Sequence, residues 1–235
     1  MEVIYEDNHL IVVNKAPGEI VQGDKTGDTP LLETVRAYIK EKYAKPGNVF
    51  CGLVHRLDRP VAGLVVFAKT SKALSRMCEL FRNGSVHKTY WAITRNAPAE
   101  PQGRLTHWIT TVERTNKSTA HPSPRPGAKE ARLSYRQIAR SDRYNLLEVN
   151  LETGRKHQIR VQLSAMGCPV RGDLKYGDKR SNPDGSISLM ARHIEFIHPV
   201  SGKTLALTAP VPKDDALWSA MERLAEEQTQ PQTTK

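Results

Sequence analysis

His55-Arg56-Leu57-Asp58-Arg59-Pro60-Val61-Ala62-Gly63 runs straight into Leu64-Val65-Val66-Phe67-Ala68-Lys69. Pro60 and Gly63 predict a turn, and the unbroken apolar run from Leu64 to Phe67 predicts a buried strand leaving it. Asp58 therefore stands between two arginines, on a loop held by a rigid strand. Loops so placed often carry catalytic groups. The same carboxylate could equally serve as a helix N-cap or a surface ion pair.

On either side of that stretch the chain reads as a succession of short strands with interspersed helices. Val3 to Tyr5 and His9 to Val13 read as strands around the turn-forming Glu6-Asp7-Asn8. Pro30 to Ala44 is predicted helical, with Leu31, Val35, Tyr38 and Ile39 on one face. Ser71 to Asn83 is a second helix, with Ser71 as its expected N-cap and Leu74, Met77, Cys78 and Phe81 as its apolar stripe. Val86 to Thr94 is a strand that puts Lys88, Tyr90 and Ala92 on one face. Residues 95–128 are rich in Pro, Gly and Thr, with one short strand near Leu105 to Ile109, and Thr110 to Lys129 reads as a mobile, basic excursion. Ala131 to Arg140 and Tyr144 to Leu151 form paired strands, and Arg155 to Met166 is a helix. Ser188 to Ile197 and Leu205 to Thr208 are further strands, and Leu217, Met221 and Leu224 mark a closing helix. The expectation is a mixed α/β chain of α+β class: a largely antiparallel sheet with flanking helices, in one domain over residues 1–225, then a disordered polar tail over 226–235.

Bulk properties narrow the class. The 235 residues are 38% hydrophobic and 26% charged, enough for a real core. No apolar run approaches the roughly 20 residues that span a membrane. The first residues hold no basic leader, so the expected compartment is the cytoplasm. Cys51, Cys78 and Cys168 lie far apart and give no metal-ligand spacing, which reads as buried free thiols. The net charge of +10 is unevenly placed. Residues 1–50 hold six basic and eight acidic side chains, residues 104–143 nine and three, and residues 152–180 seven and three. Basic charge concentrated in two segments suits a polyanion-binding face, with an idle basic surface as the bland reading. No basic amphipathic helix with a strong apolar face appears, so nucleic acid is favoured over membrane.

A second constellation lies downstream: Leu151-Glu152-Thr153-Gly154-Arg155-Lys156-His157-Gln158-Ile159-Arg160. Thr153 can cap the helix, Gly154 allows a tight turn, and Arg155 at the junction could meet a carboxylate in bidentate geometry. Lys156 reads as an ordinary surface residue, and Arg160 as facing solvent or backbone phosphate. His157 finds no second ligand at metal-binding spacing.

Read together, these two segments resemble the RluA-type pseudouridine synthases, a family of ribosomal and transfer RNA uridine isomerases. HRLD-x-x-x-x-G-x-x-x-x-A-K at residues 55–69 and L-x-T-G-R-x-H-Q-I-R at residues 151–160 carry the likeness. Smaller matches follow in order: Val12-Val13-Asn14-Lys15 with Gly18, Lys88-Thr89-Tyr90, Gly172 to Gly177, and His198-Pro199. The resemblance implies a pseudouridine synthase fold around a long, mainly antiparallel sheet. It also implies isomerisation of uridine within ribosomal or transfer RNA, without cofactor or metal. Asp58 matches the family's essential carboxylate and is expected to act at C1′. Arg155 would pair with it and keep it ionised. Tyr90, which could otherwise be a core tyrosine, would stack on a flipped-out uracil and take or relay a proton. Arg56 would fill the gap that the base leaves.

Val61-Ala62 stand where the family commonly has Thr-Ser, so two hydroxyls are missing from the turn under Asp58. The proline of Asn14-Lys15-Ala16-Pro17-Gly18 is also shifted by one place. The small N-terminal RNA-binding module of many relatives is expected to be absent. Partners are then RNA alone, with no DNA and no membrane, and the chain a monomer. The rivals are a non-catalytic RNA-binding protein on the same fold and a nucleoside hydrolase or base glycosylase.

Overall fold

The computed structural model describes residues 1–229. Contacts group them into two compact units, each built from two chain segments. The first comprises Met1–Lys88 and Ala191–Pro210, the second Thr89–Met190 and the chain from Val211.

In the first unit, β1 (Glu2–Glu6) pairs antiparallel with β2 (Leu10–Lys15), and β2 with β4 (Ala62–Ala68). The short β3 (Gly52–Leu53) adds to β4, and β11 (Thr204–Thr208) adds to β10 (Leu189–Ile197), whose residues from Ala191 onward belong here. The strand order is β1-β2-β4-β10. Every residue of β4 is buried, as its unbroken apolar run requires, because both faces of this strand are covered. Helix α1 (Leu31–Lys42) buries Leu31, Val35 and Ile39, and α2 (Ser71–Arg82) buries Ala73 and Met77. The cap of α2 is Thr70 rather than Ser71: Ala73 N–H donates to Thr70 Oγ1 at 3.2 Å. Gly63 has a φ of +111°, and a Cβ there would lie 2.6 Å from the Ala191 nitrogen, so only glycine lets β4 and β10 meet at that point.

In the second unit, β5 (His87–Thr94), β9 (Asn145–Leu151), β8 (Lys129–Arg140), β6 (Gln102–Val112) and β7 (Lys117–His121) pair antiparallel in that order. Alternation along β8 buries Ala131, Leu133 and Tyr135 and exposes Arg132 and Arg136. Helix α3 (Gln158–Ala165) and the closing α4 (Ala216–Thr229) complete the unit. Helix α4 lies against β8 and β9 through Trp218, Met221 and Ala225, one position off the expected Leu217 and Leu224. It runs into the expected polar tail, and residues 230–235 lie outside the described residues.

The chain is thus α+β. Three expectations need correction. Residues 110–129 are not a mobile excursion: β6 extends to Val112, and β7 returns beside it. The hairpin is held by polar cross-strand pairs, Thr111 with Ser118 at 3.0 Å and Thr110 with His121 at 2.9 Å, which leave no apolar alternation to read. Helix α3 starts three residues later than predicted, because His157 takes a left-handed φ of +56°. Cys78 is half-buried, while Cys51 and Cys168 are buried as expected.

Candidate active site

Asp58 and Arg56 lie in the first unit, on the loop between β3 and β4; Tyr90 and Arg155 lie in the second. In the first unit the loop is fixed at four points. The His55 ring stacks on Phe81 with centroids 4.7 Å apart, and its Nε2 accepts the Val66 N–H at 3.1 Å. Burial, helped by the positive charge of Lys88, pushes the His55 pKa down to about 3, so the ring stays neutral and acts as a fastener. Leu57 is buried beneath the loop while Arg56 is exposed. Asp58 O accepts the Val61 N–H at 3.0 Å, which closes the turn predicted from Pro60 and Gly63. Arg59 is tied to Asp28 and, at 3.3 Å, to Thr26.

The strongest support comes from a residue that the sequence marked only as a minor match. Lys15, at the end of β2, is 1% exposed. Its Nζ donates to Val61 O at 2.7 Å, Ala16 O at 2.9 Å and Arg59 O at 3.0 Å, so all three ammonium protons are used and two of them clasp the Asp58 turn. Burial lowers the Lys15 pKa to about 8 against the opposing pull of Glu19 and Asp58. Val61 and Ala62 are buried in the core, and the clasp runs through backbone carbonyls. No side chain of the turn itself makes this contact. The available signal was a lysine following Leu10-Ile11-Val12-Val13 without leaving the strand.

In the second unit, Tyr90 is buried on β5 opposite Val149 of β9, two residues before Leu151 leads into the Thr153-Gly154-Arg155 turn. That turn is braced against β8. Thr153 Oγ1 accepts the Arg132 N–H at 2.8 Å and donates to Gln158 Oε1 at 2.8 Å, which also accepts the Arg155 N–H at 2.9 Å. Gln158 Nε2 donates to Arg132 O at 3.0 Å. Arg155 is exposed, and its Nε donates to Glu130 O at 2.8 Å, which fixes the direction of the side chain.

Arg160 does not face solvent. It is buried, with Nε 2.6 Å and Nη2 3.0 Å from the two Asp173 oxygens, a bidentate pair. A buried cation must be paired, and Asp173, 13 residues on, was not visible as its partner. Among the described residues, no three His, Cys, Asp or Glu side chains converge as a metal site requires.

Residues 9–165, which contain both motifs and Tyr90, match the family model described as RNA pseudouridylate synthase. The chain is 33% identical to ribosomal large subunit pseudouridine synthase D of Zymomonas mobilis, over 91% of this chain and 70% of that one. It is 30% identical to tRNA pseudouridine synthase C of Pectobacterium carotovorum, over 94% of this chain and 61% of that one. It thus spans about two thirds of the length of the curated relatives it matches. Among solved structures, human RNA pseudouridylate synthase domain containing 4 is similar with a TM-score of 0.78 and 25% identity, covering 94% of this chain and 93% of that one.

Proposed function

The chain belongs to the RNA pseudouridylate synthase family, and on that premise we propose that it isomerises uridine to pseudouridine in ribosomal or transfer RNA. Residues 1–225 would work as one catalytic domain, monomeric and cytoplasmic, with RNA as its partner and no resident cofactor. In the proposed reaction the target nucleotide is flipped out of its stack. The Asp58 carboxylate attacks C1′ as the N1–C1′ bond breaks, much as the nucleophile of a retaining glycosidase does. The freed uracil turns, C5 bonds to C1′ as the carboxylate leaves, the C5 proton is lost and N1 takes up a proton in its place. Leaving base and incoming group are the same molecule, so one carboxylate is enough.

Arg155 would keep Asp58 ionised, Tyr90 would stack on the uracil and take or relay the C5 proton, and Arg56 would occupy the gap in the RNA. The observation that carries the reading is the Lys15 clasp. A buried ammonium holds the carbonyls of Arg59 and Val61, which follow Asp58 in its turn, and in this reading that hold aims the Asp58 carboxylate. No surface ion pair needs a support of that kind.

RNA carrying tritium at uracil C5 tests the reaction. Release of tritium to water, with chain and base count unchanged, is the expected result. Free uracil would identify a hydrolase, and RNA binding without tritium release would identify a binding protein.

A further inference from the structure

Two residues after Arg155 the backbone enters a region that side chains other than glycine seldom occupy: His157 has a φ of +56°. A residue stays in that region only where its surroundings hold it there. The hold comes from Tyr176, 19 residues on, at the end of the 3-10 turn Leu174–Tyr176. The phenol is buried. Its oxygen accepts the Ser118 N–H at 2.9 Å and shares a hydrogen bond with His157 Nδ1 at 2.7 Å. Since the oxygen accepts from Ser118, its own proton can go to Nδ1, and burial raises the Tyr176 pKa and so keeps that proton in place. The Tyr176 ring meets the imidazole edge-on, with centroids 5.6 Å apart.

Tyr176 is itself fixed to helix α3. Ser164 Oγ donates to Tyr176 O at 2.5 Å, and the Arg160–Asp173 pair ties the same segment to the helix. The turn that carries Arg155 is therefore anchored at both ends. Before Arg155 the anchor is Thr153 with Gln158, described above. After it, Ser118 Oγ donates to Lys156 O at 2.9 Å and the phenol holds His157. The Arg155 side chain is exposed, so no packing of its own places the guanidinium. Its aim depends on the backbone on either side and on the Nε–H bond to Glu130 O. A phenylalanine at 176 would fill the same space, but it would leave the buried Ser118 N–H without that acceptor and let His157 go.

We propose that Tyr176, seated on Ser118, is a positioning residue for Arg155. It acts through the backbone of residues 155–157, and Ser118 acts with it through Lys156 O. The proposal rests on the reading in which Arg155 keeps Asp58 ionised. Buried polar groups satisfied in this way rigidify what they join, and a displacement of about 1 Å at a reacting group can cost about 100-fold in rate.

The test is a double-mutant cycle on tritium release from RNA labelled at uracil C5, using wild type, Tyr176→Phe, Arg155→Ala and the double variant. Tyr176→Phe should lower kcat about 10-fold and leave KM for RNA within about 2-fold. In the Arg155→Ala background the same change should lower kcat less than about 2-fold. A 10-fold loss in both backgrounds overturns the proposal, because Tyr176 would then act on the fold at large. Unchanged kcat in Tyr176→Phe overturns it too. Should Tyr176→Phe fail to fold, Ser118→Ala takes its place in the cycle, with the same coupling to Arg155 expected and additive losses again fatal. Hydrogen exchange of the Arg155 backbone N–H needs no turnover, and it should be about 10-fold faster in the folded variant. An unchanged exchange rate counts against the proposal. If wild type releases no tritium but exchange still quickens, the hold on Arg155 stands and the enzymatic reading falls instead.

Discussion

At the scale of single residues, His55 is a motif position that holds the loop carrying Asp58. It is stacked on Phe81 and bonded to Val66 N–H, and so pins the start of the Asp58 loop. Unfolded, a histidine takes up a proton near pH 6.5; here it resists until about pH 3. Between those values the unfolded chain binds more protons, so stability falls as the pH falls through that window. The His55→Gln variant removes this dependence. Urea unfolding should show wild type losing about 2 kcal/mol more than the variant from about pH 7 to about pH 5; parallel losses would contradict a ring that stays neutral. For Tyr90, the Phe variant should bind RNA normally and turn over roughly 10- to 100-fold more slowly. Unchanged turnover would remove its proton-transfer role. Asp58, Tyr90 and Arg155 were all legible as residue types in a spaced pattern. Lys15, Asp173 and Tyr176 fell inside the smaller matches, but what they do was not legible, because it depends on burial and on partners distant in sequence.

Among the elements, the account turns on how β2 reaches the loop before β4. Register pairs Lys15 with Gly63, so the lysine is delivered to the Asp58 turn by the strand itself. Lys15→Met keeps the length and loses the donors, leaving buried carbonyls without partners. It should cost about 2–4 kcal/mol in urea unfolding. Lys15 also predicts a pH trend. Its folded pKa of about 8 lies below the ordinary 10.5, so between them the unfolded chain again holds more protons. Stability due to this group therefore rises with pH across that window, and the advantage of wild type over Lys15→Met should widen there. A constant gap would mean that the ammonium is not held in a dry site. Strand β4 and helices α1 and α2 could be read from apolar periodicity because they bury apolar faces. The β6–β7 hairpin and the start of α3 could not: one is held by Thr, Ser and His pairs, the other is set by a left-handed His157 that no local pattern announces.

For the molecule as a whole, the uneven basic charge divides within the second unit. Arg114 and Lys117 are exposed at the β6–β7 tip, whereas Arg160 is spent on Asp173, and Arg132 and Arg136 are paired with glutamates across the sheet. A sequence count treats these alike, since pairing and burial are invisible to it. No helix of the described residues is long and apolar enough to cross a membrane. The central claim is that Asp58 carries out the isomerisation, and the Asp58→Asn substitution tests it with almost no change in shape. With RNA tritiated at uracil C5, wild type should release label to water. The variant should bind the same RNA with wild-type affinity and release label at least about 10⁴-fold more slowly. Tritium release by Asp58→Asn at the wild-type rate would contradict the account.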